Sequence, residues 1–318
     1  MDSENIVWVK EKSQMSDNLT KRYVLNRFKT TGIKKDRIIF LCGKRGSGKT
    51  TGVMDILYRH RDIQMAMVMC GTEESAEQYR DYFPDSFIYG KYDEEVLRTA
   101  VKAQKRRLFE HKMGRRRKVP YICILLDDCM FEKPLSGKFM RNLFMNGRHW
   151  KIMLIITCQY VIDVPAALRG QIDYAMLFKN NSPQEREKML TVFGTPFPKD
   201  RGVTFNQIMD QCTRDFGCMV IDNTANGSRL EESVFYFRPK RRENFRIGSA
   251  GMWRYHHRRY DLEKAMMGPP EDDEDDGGSS KKRGRATAKA RGRAAAAKDD
   301  IVVVLRGIQR PTQTISNS

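Results

Sequence analysis

The chain has 318 residues, with 58 Lys and Arg against 40 Asp and Glu, a formal net charge of +18, and 40% hydrophobic residues. That apolar share builds the core of one large domain or two small ones, which excludes wholesale disorder. No run approaches about 18 consecutive apolar residues, and the leading MDSENIVWVKEKSQ has no apolar centre, so neither a membrane span nor a secretory signal is expected.

Residues 1–36 carry scattered charges without a clean period and read as an N-terminal extension. From residue 37, short apolar runs alternate with longer helix-compatible stretches, the pattern of an α/β domain with a mostly parallel central sheet. Strands are expected at Arg37–Cys42, Met65–Cys70, Tyr121–Leu126, Ile152–Thr157 and Tyr174–Phe178, nearly continuous apolar runs that suit burial on both faces. Two later runs, Cys218–Ile221 and Val234–Phe237, read as antiparallel additions. Helices are expected from Thr50 to about Arg59, from Glu94 to His111, and from Ser182 to Gly194. In the last, Ser182 is the N-cap, Pro183 takes the first helical position, Glu185 closes a capping box and Gly194 stops the helix.

The first strand runs into Gly43-Lys44-Arg45-Gly46-Ser47-Gly48-Lys49-Thr50, a match to G-x-x-x-x-G-K-[ST] between a strand and a helix. Glycines let backbone N–H groups converge on phosphate oxygens, helped by the positive end of the helix. Lys49 would reach the β- and γ-phosphates, the Thr50 hydroxyl would hold Mg2+, and Thr51 completes the nucleotide-binding set. A second strand ends in Asp127-Asp128, where Asp127 suits a water-relayed Mg2+ contact and Asp128 suits activation of the attacking water. The run Lys151–Thr157 ends in Thr157-Cys158-Gln159, which puts Gln159 where it can sense a γ-phosphate or hold the nucleophilic water. Just before that run, Arg148 in Asn146-Gly147-Arg148-His149 projects from the opposite end of the strand. It is a candidate arginine finger toward a neighbouring subunit, with Arg169 as the other candidate.

Residues 269–318 hold 10 Lys and Arg and 8 Asp and Glu, which leaves the first 268 residues with 48 against 32, a net +16. A folded part so basic points to a polyanion partner. Its densest cluster combines Lys102, Lys105, Arg106 and Arg107 with Arg115, Arg116, Arg117 and Lys118, and the latter four are the candidate grip on DNA phosphates. The stretch RYHHRRY reads as a surface or polyanion-contacting segment, and five scattered His make no metal site. Seven cysteines without a CxxC pair, five of them inside apolar runs, suit a reducing compartment. Composition breaks at Gly268, which bounds the domain at 37–268. Acidic EDDEDD and basic KKRGRATAKARGR follow and read as a disordered tail, with an apolar run at 301–308 able to add a strand to a partner's sheet.

The segments GKRGSGKT, ILLDDCMF, NGRHW and TCQY together resemble the FtsK–HerA group of P-loop ATPases. More closely, with PAALRGQIDY, they resemble the poxvirus-type genome-packaging ATPases of large double-stranded DNA viruses, over about residues 36–240. The resemblance implies a RecA-like P-loop NTPase that forms a homo-oligomeric ring, uses ATP and Mg2+, and drives double-stranded DNA into a preformed capsid. It implies Lys49 and Thr50 as the P-loop pair, Asp127 at the metal, Asp128 as catalytic carboxylate, Gln159 as sensor and Arg148 as trans-acting finger. A capsid or inner-membrane virion protein would be a further partner. The setting would be intracellular, in the host cytoplasm with its viral factories or the nucleus, or on the virion. One departure is Asp128 where many of the wider group carry Glu, one methylene longer. Two other readings share the core: a cellular or plasmid-type DNA helicase or translocase, and a DNA-binding protein that uses ATP only as a switch. A GTPase would need an Asn-Lys-x-Asp motif, and Phe178-Lys179-Asn180-Asn181 is not one.

Overall fold

The computed structural model describes residues 22–129, 137–161, 164–197, 201–227, 229–259 and 302–305. In chain order the elements are β1 (Arg22–Leu25), β2 (Ile38–Cys42), α1 (Lys49–Arg59), β3 (Met65–Cys70), α2 (Glu73–Glu77), β4 (Ile88–Tyr89), α3 (Glu94–Lys112) and β5 (Ile122–Asp127). Then come α4 (Lys138–Asn146), β6 (Ile152–Cys158), α5 (Ala166–Arg169), β7 (Tyr174–Phe178), α6 (Pro183–Phe193) and α7 (Arg201–Cys212). Strand β8 (Cys218–Asp222), α8 (Leu230–Ser233), β9 (Val234–Phe237), α9 (Ala250–Arg259) and β10 (Val302–Leu305) follow. Eight strands form one sheet in the order β4-β3-β5-β6-β2-β7-β8-β9. The first six of these are parallel, whereas β8 pairs antiparallel with both β7 and β9.

The expected strands are present with shifts of a residue at their ends, because runs buried on both faces leave little ambiguity of type. Alternate residues of β2 feed opposite layers. Ile38, Phe40 and Cys42 join one core with α3, α4, α6 and α7, and Ile39 and Leu41 join the other with α1. All seven cysteines are buried thiols.

The helix at Ser182 has its N-cap as expected, the Ser182 hydroxyl accepting from the Glu185 N–H at 3.4 Å. The capping box does not close. The Ser182 N–H donates instead to Asn180 Oδ1 at 3.0 Å, and Glu185 Oε1 accepts from Lys188. Residues 22–36 carry β1 and bury Leu25, Phe28 and Ile33. The chain there follows β9, Phe28 N–H donating to the Tyr236 carbonyl at 2.8 Å and Tyr236 N–H to that of Asn26 at 3.1 Å. Of the tail, only β10 falls among the described residues, and it pairs in parallel with β1 of its own chain. The acidic and basic blocks lie outside them. The RYHHRRY stretch is half inward: it ends α9, and His256 is buried with Nδ1 2.8 Å from the Ser86 hydroxyl, while Arg254 and His257 face solvent. Among the described residues no helix is long and apolar enough to cross a membrane.

Candidate nucleotide-binding site

The parallel strands all point their C-terminal ends at one edge of the sheet, where open α/β sheets bind ligands. There β2 turns into the Gly43–Gly48 loop. The turn needs left-handed backbone at Gly46 (φ +73) and Gly48 (φ +102), which glycine adopts without steric cost. Gly48 is the N-cap of α1 and provides no side-chain cap, so the first N–H groups of α1 stay available to an anion. Lys49 is buried, and its ammonium donates to the carbonyls of Gly43 at 2.7 Å and Lys44 at 3.3 Å. The Ser47 hydroxyl is buried without a hydrogen-bond partner. Lys44 and Arg45 are exposed, and Thr50 and Thr51 are half-buried at the start of α1. A buried hydroxyl without a partner and an uncapped helix start, backed by a buried ammonium, fit a polyphosphate.

Strand β6 lies between β2 and β5, in register with both: Leu41 pairs with Thr157, and Thr157 with Asp127. This inserted strand carries the polar link of the site. The Thr157 hydroxyl donates to Asp127 Oδ1 at 2.6 Å and accepts from the Asp128 N–H at 3.1 Å. Gln159 Nε2 donates to Asp128 Oδ2 at 3.1 Å. Asp128 holds a left-handed backbone (φ +54), a conformation Asp tolerates better than most residues. Burial pushes the Asp127 carboxyl above its ordinary range and Asp128 adds to the rise, against the Thr157 and Tyr79 hydroxyls and Lys49, which favour the anion. A carboxylate so placed is suited to a cation. With Thr50 at the head of α1 it makes a donor set of hard oxygens that fits Mg2+.

The loop, Asp127, Asp128 and Gln159 thus meet at one edge, as expected from the sequence. The role of Thr157 is visible only in the folded sheet, because its bridging position depends on two neighbouring strands. Arg148 is at the other edge, before β6, whose seven residues span about 20 Å. Its Nη2 donates to Asp173 Oδ1 at 2.6 Å. Asp173 is buried, also accepts from the Ile38 N–H at 2.9 Å, and has Arg37 at 3.8 Å. Arg169 Nε donates to the Val164 carbonyl at 3.1 Å.

The loop with exposed Arg115, Arg116, Arg117 and Lys118 precedes β5 and so shares the edge of Arg148. Gln104, fully buried, ties the two regions by donating to the carbonyls of Pro120 at 2.7 Å and Trp150 at 2.9 Å. Lys105 lies 3.9 Å over the Trp150 ring. Glu110 takes both Arg106, at 3.1 Å, and Arg116, at 3.3 Å.

A mostly parallel sheet with this loop on one strand, and an acidic strand two places away, defines a P-loop NTPase. The chain belongs to the Poxvirus A32 protein family, whose model matches residues 25–230. Uncharacterized protein 075L of Invertebrate iridescent virus 6 is 34% identical over 216 residues, 67% of this chain and 80% of that protein. Uncharacterized protein L437 of Acanthamoeba polyphaga mimivirus is 27% identical over 247 residues, 76% of this chain and 86% of that protein. Among solved structures, the genome packaging NTPase B204 of Sulfolobus turreted icosahedral virus 2 in complex with AMPPCP is similar at 15% identity and a TM-score of 0.46. That match covers 65% of this chain and 100% of that one.

Proposed function

We propose that the chain is an ATP-driven motor that moves double-stranded viral DNA into a preformed capsid during virion assembly. The observation that carries the hydrolytic part is the hydrogen-bonded set Asp127, Thr157, Asp128 and Gln159 beside the Gly43–Thr50 loop. A protein that only bound ATP as a switch would have no need of a buttressed Asp128. Membership of the Poxvirus A32 family, with relatives in an iridescent virus and a mimivirus, supports the viral setting.

In this reading the backbone from Gly43 to Thr51 cradles the phosphates and Lys49 turns its ammonium from the loop carbonyls to them. Asp128 accepts the proton of the attacking water as its oxygen bonds to the γ-phosphorus and the bond to the ADP oxygen breaks. Gln159 orients that carboxylate and the water. Thr50, and Asp127 through water, would hold Mg2+, which would supply positive charge against the phosphate oxygens. Arg148 would exchange Asp173 for the ATP of a neighbouring subunit in a homo-oligomeric ring. Such a finger is worth about 10³–10⁵ in rate. The Arg115–Lys118 loop would hold DNA phosphates without sequence choice. A capsid or inner-membrane virion protein completes the partners, and the motor acts in the host cytoplasm or nucleus, or on the virion. The domain extends to 268 and takes in residues 22–36 rather than starting at 37, because Leu25, Phe28 and Ile33 are buried in its core, with the tail as an accessory arm.

Steady-state ATP hydrolysis with and without long duplex DNA tests the proposal. A low basal rate raised several-fold by duplex, and abolished in Asp128→Asn, is expected. ATP binding with no turnover, duplex or not, would leave the switch reading in its place.

A further inference from the structure

We infer that Phe216 is the platform on which the base of a bound purine nucleoside triphosphate stacks, an inference that rests on the nucleotide reading of the P-loop. Phe216 is 70% exposed, the most exposed large apolar side chain among the described residues. A single exposed Phe is ordinary on a protein surface. This one, however, is held there by a costly backbone. Asp215 (φ +50) and Phe216 (φ +57) are consecutive left-handed residues, neither of them glycine. Strain of this kind persists where the surroundings enforce it and collects at functional sites.

The surroundings do enforce it. The Thr213 N–H closes the end of α7 on the Met209 carbonyl at 2.9 Å, and the Gly217 N–H returns to that of Arg214 at 2.9 Å. A Cβ on Gly217 would lie 2.4 Å from the Cys212 carbonyl oxygen, so only glycine closes this turn. Arg238 Nη1 pairs with Asp215 Oδ2 at 3.3 Å. The result sets Phe216 directly on the phosphate loop. A Cβ placed on Gly48 would meet the Phe216 carbonyl oxygen at 3.3 Å and its Cβ at 3.4 Å, with the Phe178 ring at 3.7 Å.

The direction of a bound nucleotide follows from the sheet order. The carboxylates and Gln159 end β5 and β6, on one flank of the β2 loop, so the γ-phosphate end faces that flank. Ribose and base must then leave past the other flank, toward β7 and β8. Phe216, two residues before β8, is the aromatic side chain there that is open to solvent. An aromatic face reads none of a base's edges and holds most strongly the bases with the largest π-surface, so the ligand class is purine nucleotides rather than adenine alone.

Calorimetric titration of the full chain with ATP and with inorganic tripolyphosphate, each with Mg2+, separates base from phosphate. Truncating an exposed ring leaves packing largely intact, so Phe216→Ala should fold. It is expected to weaken ATP about tenfold or more and to leave tripolyphosphate within about twofold. Phe216→Trp should keep ATP affinity, and its added fluorescence over the wild-type chain should respond to ATP but not to tripolyphosphate. Wild-type ATP affinity in Phe216→Ala would overturn the platform, as would equal weakening of both ligands. A wild-type chain that binds neither ligand would overturn the P-loop reading and the platform with it.

Discussion

Gln159 at the tip of β6 donates through Nε2 to Asp128 Oδ2, 3.1 Å away at the end of β5. The amide therefore holds the rotamer of the carboxylate proposed to receive the proton of the attacking water. Removing it should act on turnover more than on nucleotide capture. For Gln159→Ala, kcat is expected to fall about 10²-fold or more, with KM for ATP changed by less than about threefold. Steady-state hydrolysis at saturating duplex DNA measures both. A raised KM with unchanged kcat would assign Gln159 to binding alone.

Thr157 makes a second, separable prediction. Its one hydroxyl is donor to Asp127 and acceptor from the Asp128 N–H, with no exposed surface. Thr157→Val keeps the shape and strands both groups, so it should cost about 1–3 kcal/mol of stability. It should also raise the Mg2+ concentration needed for half-maximal hydrolysis, because Asp127 loses its orienting donor. Thr157→Ser should restore both. Urea denaturation beside a Mg2+ titration reads the two effects, and a Val variant as stable as wild type would contradict the bridge.

The parts of the site that were legible in the sequence are those whose chemistry is local. The Gly43–Thr50 loop, the Asp pair after an apolar run and Gln159 after another need only a strand-then-turn context, and the sheet supplied it. The capping box at Ser182 failed although its residues are adjacent, because Asn180 competes for the same N–H and Lys188 for the same carboxylate. Strand β1 has four residues and its partner β10 is 280 residues away in sequence, so no local period could announce the pair. Thr157 as a bridge, Asp173 as the partner of Arg148 and Phe216 on the loop all depend on which strand lies beside which. The insertion of β6 between β2 and β5 and the antiparallel return of β8 decide that, and neither is written in any short segment.

The Arg148–Asp173 pair makes a prediction that depends on pH. Burial raises the Asp173 carboxyl above its ordinary 3.8, while the Ile38 N–H, Arg148 and Arg37 pull it back. A raised carboxyl contributes stability that is fully present below its unfolded value and is lost as pH rises through the folded one. Arg148→Ala removes one of the restraining charges and lifts the folded value further. Its stability relative to wild type should therefore fall as pH rises from about 4 to 7, by about 1 kcal/mol given the half-exposed arginine. Adding Asp173→Asn should flatten that difference. The same variant tests the finger. Mixed with Lys49→Ala subunits, which keep Arg148 but lack the P-loop ammonium, Arg148→Ala subunits should recover part of their hydrolysis. No recovery in the mixture would confine Arg148 to the ion pair.

The loop before β5 is best tested through salt. Arg115, Arg116 and Arg117 are all exposed, but Arg116 already shares Glu110 with Arg106. Its charge is thus partly spent within the chain, whereas Arg115 and Arg117 have no carboxylate partner among the described ion pairs. Each phosphate neutralised contributes about 0.9 to the slope of log affinity against log salt on duplex DNA. Replacing all three with Ala should lower the slope by about two rather than three, with Arg116→Ala alone changing it least. Because the contacts are to phosphate, the loss should be equal on unrelated duplex sequences. A slope that does not change would remove this loop from the DNA path.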